Sequence, residues 1–182
     1  MSKLALRVGG LVVVIALLGV VSYAVAGSGT KNFTGSPLNG YEENPDISTL
    51  GTGSFTARLA DDGKSFQWEL SYSGIEGGNV LQSHIHFGKP AVNGGISIFL
   101  CTNLGNGPAG TQPCPQSGTI RGEADASDVI GPGVQGIAAG EFDEILAAMR
   151  AGHAYANVHS QTYPSGEIRA QIDDNRGRGR DG

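Results

Sequence analysis

The chain has 182 residues, with 12 basic against 17 acidic side chains, and carries a formal charge of −5. That length suits one domain with an adequate core, and the acidic balance argues against a nucleic-acid or anionic-membrane partner. Thirty glycines and few charged or aromatic residues favour short strands joined by many turns, with little helix.

Lys3 and Arg7 precede an apolar run from Leu11 to Val21, and Ala24-Val25-Ala26 supplies the small-residue pattern of a signal-peptidase site. Residues 1–26 are therefore expected to be a cleaved secretory signal. The alternative is an uncleaved anchor over Val8 to Val25, and Gly9, Gly10, Gly19 and Ser22 weaken it. No cysteine stands directly after the apolar run, so a lipoprotein anchor is not expected. Cleavage removes Lys3 and Arg7 and leaves 10 basic against 17 acidic groups, a charge of −7. The expected location is secreted, periplasmic or cell-surface, with no membrane insertion after cleavage. Asn32-Phe33-Thr34 is formally an N-glycosylation acceptor where the host glycosylates exported chains.

From residue 27 onward alternation dominates. Gly53 to Leu59 places Phe55, Ala57 and Leu59 on one face, and Asp61-Asp62-Gly63-Lys64 reads as a hairpin turn into Ser65 to Tyr72, where Phe66, Trp68, Leu70 and Tyr72 share a face. Further strands are predicted over Val80 to Phe87, Gly95 to Cys101, Gly118 to Ala124, Ala154 to Ser160 and Glu167 to Ile172. Cys101 and Cys114 are the only cysteines, and in an exported chain this pair reads as a disulfide bracing a Gly/Pro-rich loop. That loop holds a literal G-x-G-x-x-G at Gly105 to Gly110, but Pro108 and the bridge leave no strand-turn-helix for a dinucleotide. The one good helix runs from Phe142 to Ala151, with Phe142, Ile145, Leu146 and Met149 as its apolar stripe and Gly152 as its stop; a short turn begins near Ser127-Asp128. Residues 173–182 contain no apolar side chain and read as a solvated Arg/Gly tail. The pattern as a whole argues for an all-β antiparallel sandwich of Greek-key kind with one short crossover helix.

Two residues apart on a strand, His84 and His86 project to one face while Ile85 takes the other. In Ala154 to His159 the same parity places Tyr155, Asn157 and His159 opposite Ala154, Ala156 and Val158. Three imidazoles are therefore expected to converge as a metal site of the copper or zinc kind, with a position left open for a further ligand. Asn157, Glu167 and Arg169 are placed around it, Asn157 and Glu167 as acceptors for ring N–H groups. The competing reading is a metal-free polar cluster in which Glu167 pairs with Arg169 or with a histidine. His153 follows the helix stop and is read as a helix-end histidine. The acid pairs Glu42/Glu43 and Asp61/Asp62 fall at turns and are read as solvated. There is no G-x-S-x-G elbow and no H-E-x-x-H, and a bridged cysteine pair supplies no thiol nucleophile, so no catalytic constellation is assigned.

Several runs in order carry a family resemblance: Leu38-Asn39-Gly40-Tyr41-Glu42-Glu43-Asn44-Pro45, then His84-Ile85-His86 with Gly88, then Gly152 to His159, then Pro164-Ser165-Gly166-Glu167-Ile168-Arg169-Ala170-Gln171. These match the L-x-G-x-x-E-x-P, G-x-x-Y-V-N-V-H and P-x-G-E-I-R-G-Q signatures, and the chain resembles the CHRD domain family, in its stand-alone exported bacterial form. Ala156 and Ala170 stand where valine and glycine are usual. The resemblance spans residues 33–172 and implies an extracellular immunoglobulin-like sandwich without a settled activity. The expected function is an exported binding module contacting a protein or matrix component, with or without metal. The alternatives are a three-histidine copper or zinc protein for metal handling or redox chemistry, and a purely structural surface module. A layout resemblance to copper/zinc superoxide dismutase rests on fold and one tripeptide alone.

Overall fold

The computed structural model describes residues 31–174; residues 1–30, which include the segment read as a secretory signal, and residues 175–182 lie outside them. Eight strands form: β1 Asn32–Asn39, β2 Thr52–Leu59, β3 Ser65–Ser73, β4 Val80–Phe87, β5 Gly95–Thr102, β6 Gly118–Asp125, β7 Ala154–Ser160 and β8 Ile168–Ile172, with one helix, α1, at Phe142–Arg150. All pairings are antiparallel, in the order β5-β4-β7-β8-β1-β2-β3-β6. The all-β antiparallel fold expected from the alternation is what forms, with hydrogen bonding continuous through all eight strands.

The edge strands β5 and β6 are tied together by the segment between them. Gln112 Nε2 donates to the Leu100 carbonyl on β5 (3.3 Å) and to the Arg121 carbonyl on β6 (3.0 Å). Cys101 of β5 is bonded to Cys114 in the same segment, and the Tyr72 hydroxyl donates to the Pro115 carbonyl. The sheet is thus rolled over on itself into a barrel-like sandwich around one core, with Phe33, Phe55, Phe66, Leu70, Ile85, Leu100, Val158 and Ile168 all buried. Helix α1 lays its buried stripe against this core, with Phe142 stacked on Phe66 at 5.5 Å.

The strand missed by alternation is β1. Its register against β2 shifts between Gly35 and Leu38, so buried Phe33 and Leu38 stand an odd number of residues apart and defeat a period of two. Gly35, Ser36 and Pro37 further disguise it as a turn. At the other end the chain stays paired beyond Ile172: Asp173 exchanges both backbone hydrogen bonds with Thr34, at 2.9 and 3.0 Å, and Asp174 is buried. These two residues belong with the domain rather than with a solvated tail. Among the described residues no helix is long and apolar enough to cross a membrane.

Candidate metal centre

The outer face of β4, β7 and β8 holds a buried polar cluster. Ile85, Ala156, Val158 and Ala170 alternate inward to the core, which turns His84, His86, Tyr155, Asn157, His159 and Arg169 to the opposite side. Registry sets them in adjacent rows: His84 faces Asn157, which faces Arg169; His86 faces Tyr155, which faces Gln171; and His159 lies across from Gln82, diagonal to His84. This face is not open to solvent as a sheet's polar side usually is, because loops fold over it. His84, His86 and His159 are 0%, 6% and 5% exposed.

One nitrogen from each of the three imidazoles falls within 4.8 Å of the others. His86 Nδ1 meets the Gly94 carbonyl at 2.9 Å and His159 Nδ1 meets the Pro164 carbonyl at 3.0 Å. A carbonyl only accepts, so both Nδ1 atoms carry the proton and both Nε2 atoms present lone pairs. His159 Nε2 lies 3.0 Å from His84 Nδ1, which makes His84 the donor and leaves its Nε2 a lone pair as well. His84 Nε2 and His86 Nε2 are buried without a hydrogen-bond partner. Phe99 meets the His84 ring edge-on at 4.3 Å, and Tyr155 stacks on His86 at 4.7 Å.

Burial keeps all three rings neutral. It pushes His84 down to about 2, helped by the neighbouring charges that His159 and His86 would carry. His86 is lowered to about 4, again chiefly by burial, with the Gly94 carbonyl pulling the other way. His159 falls to about 4 by burial against the Pro164 carbonyl. Neutral imidazoles with fixed tautomers are the form in which histidine binds a metal.

The three companions expected around the site have different fates. The Asn157 amide lies beside both His86 and the Glu43 carboxyl, and its Oδ1 has no hydrogen-bond partner. Glu167 does not face the histidines: it stands just before β8 and accepts from the Thr49 hydroxyl (2.7 Å), Glu76 N (2.7 Å) and Gly77 N (3.0 Å). Burial raises its pKa, but hydrogen bonds from Ser160, Thr49 and these amides outweigh that and hold it below the usual carboxylate value. Nor does Arg169 pair with Glu167. Its guanidinium donates to the Val92 and Lys89 carbonyls at 3.1 Å each and lies 3.3 Å from the centre of the Tyr155 ring. Arg169 therefore straps the 88–94 loop, and this loop supplies the Gly94 carbonyl that orients His86. His153 is exposed beyond α1, as expected, and stands apart from the cluster.

The residue that sequence reasoning missed is Glu43. Of the doublet read as solvated, Glu42 is exposed but Glu43 is 5% exposed, and burial lifts its carboxyl to about 7 against the opposing charge of Arg169. Its Oε1 has no hydrogen-bond partner. The available signal was its place in the Leu38 to Pro45 run. A concavity of about 570 Å³ lies elsewhere, over Trp68 and Gly122 on the β2-β3-β6 half; it is edged by Arg58, Glu69 and Arg121 and is lined by no histidine.

The CHRD domain family model matches residues 34–172, which includes every residue of this cluster. The chain belongs to the CHRD domain family. No curated protein and no solved structure matches it. In this chain the His-x-His strand and the Asn-Val-His strand lie side by side, with three nearby imidazoles that could hold a metal ion.

Proposed function

We propose that this CHRD domain is an exported binding module whose ligand is a copper or zinc ion held by His84, His86 and His159. The observation that carries this reading is the pair of backbone carbonyls, Gly94 and Pro164, that fix two ring tautomers and aim both Nε2 lone pairs into the cluster. Such outer partners are what metal-ligating histidines usually have. Two nitrogens bound to one tetrahedral ion at about 2.0–2.1 Å stand roughly 3.4 Å apart. The ligand nitrogens, now within 4.8 Å of one another, would draw together to reach that. The ion would displace the His84–His159 hydrogen bond, and His84 would offer Nε2, or Nδ1 once its proton has moved to Nε2. Three neutral nitrogens suit Zn²⁺ and Cu²⁺ better than Ca²⁺ or Mg²⁺, which prefer oxygen. Binding rather than turnover is the function proposed. Export to the cell surface or beyond is part of the same reading, supported by the leader-like N-terminus and the disulfide.

A metal-free polar cluster is the rival reading, and the 3.0 Å His84–His159 hydrogen bond favours it. It leaves His84 Nε2 and His86 Nε2 unexplained, since a buried acceptor without a partner costs about 1–3 kcal/mol. Competition titration against a chelator separates the two. The protein is expected to bind one Zn²⁺ or Cu²⁺ per chain, and the His84→Ala, His86→Ala double variant to stay folded and bind none. A parent protein that takes up no stoichiometric ion eliminates the metal reading.

A further inference from the structure

The histidines are buried beneath loops, so an ion needs a way to reach them. A cleft of about 210 Å³ opens between residues 43–47 and 162–166, lined by Glu43, Pro45, Ile47, Tyr163, Pro164 and Gly166 among others. Two of its walls touch the cluster directly. Pro164 gives its carbonyl to His159, and Glu43 lies beside Asn157, which lies beside His86. Gly166 allows this arrangement, because a side chain there would run into the Glu43 carboxyl.

Resting on the three-histidine reading, we propose that this cleft is the path by which a divalent transition-metal cation reaches the site, with Glu43 as the carboxylate that receives it. A hydrated cation cannot shed water into an apolar shell without a replacement ligand. Glu43 lines the cleft and its Oε1 is buried without a hydrogen-bond partner, so its carboxyl can replace one water once the ion presses in. A proton held on this desolvated carboxyl leaves for solvent as the ion binds. Arg169, whose charge acts on Glu43, opposes a cation resting there, which favours onward passage to the imidazoles. The ion's water ligands then give way to ring nitrogens, and the carboxylate is freed.

Stopped-flow uptake of Co²⁺ by the metal-free protein, followed by visible absorbance, tests this. Glu43→Gln is expected to slow uptake at least tenfold while leaving one ion per chain and the end-point spectrum unchanged, with Glu43→Asp in between. Glu43→Ala widens the passage but removes the carboxylate; it too is expected to be slow, whereas a merely steric role makes it fast. Ser165→Lys at the exposed rim adds positive charge without touching the core, and is expected to slow uptake in a salt-dependent way. This rim variant decides the matter if the Glu43 variants do not fold. Parent-like rates in Glu43→Gln and Ser165→Lys overturn the cleft proposal alone, while a parent protein that never binds Co²⁺, Zn²⁺ or Cu²⁺ overturns the histidine reading together with it.

Discussion

Glu42 and Glu43 are adjacent, yet one is exposed and the other is pressed against Asn157 beneath Gly166. Residues of one type acquire chemistry here from desolvation, and the three histidines show it most clearly. In the metal-free protein His86 and His159 take up protons near pH 4 and His84 near 2, against 6.5 for the free side chain. The unfolded chain therefore binds more protons over that interval, so stability falls as pH drops below about 6.5 and continues to fall towards 4. Each group contributes up to about 1.4 kcal/mol per pH unit. Glu43 acts in the opposite sense: its pKa is raised from 4.5 to about 7, so its cost grows as pH rises through that window. Three groups outweigh one, and the melting temperature of metal-free protein is expected to fall from pH 7 to pH 4.5. Thermal melts at the two pH values check this; a higher melting temperature at pH 4.5 would show the rings to be solvated.

At the scale of elements, the site depends on loops as much as on strands. Arg169 holds the 88–94 loop through the Lys89 and Val92 carbonyls, and Gln171 adds a bond to the Gly88 carbonyl at 2.7 Å. Replacing Arg169 with Met removes both charge-assisted hydrogen bonds to this loop and is expected to cost about 2–4 kcal/mol of stability by urea denaturation. With the Gly94 carbonyl loosened, metal affinity is expected to fall about 10–100-fold. Parent-like affinity in Arg169→Met would disconnect this loop from the site. The Cys101–Cys114 bridge closes a loop of separation 13 in the segment between the two edge strands, and its reduction is expected to cost about 3 kcal/mol, measurable by denaturation with and without reductant. Strand parity was legible because it is local: alternation around His84-Ile85-His86 and Asn157-Val158-His159 fixes the face each ring takes. The roles of Glu167 and Arg169 were not, because parity assigns a face and not a partner. Loops 76–77 and 88–94, which are remote in sequence, claim these side chains. Glu43 and β1 escaped notice for a related reason, as a covering loop and a register shift leave no periodic trace.

For the whole molecule, the rolled sheet gives one core and two unlike outer faces. The β2-β3-β6 half is an open polar surface, with Arg121 and Glu69 paired at 2.7 Å, whereas the β4-β7-β8 half is roofed by loops over its imidazoles. On the proposed reading the roofed face is where an ion is desolvated, and binding there would couple the ion to the folded state. Saturation at a hundred times the dissociation constant is expected to add about 2.7 kcal/mol of stability, seen as a rise in melting temperature that a chelator reverses. The most direct test is a crystal of the protein loaded with zinc, analysed by anomalous scattering at the zinc edge. The predicted result is a single peak about 2.0–2.1 Å from one ring nitrogen of each of His84, His86 and His159. A map with no peak there, and with His84 Nδ1 still hydrogen-bonded to His159 Nε2 at full zinc, would contradict it.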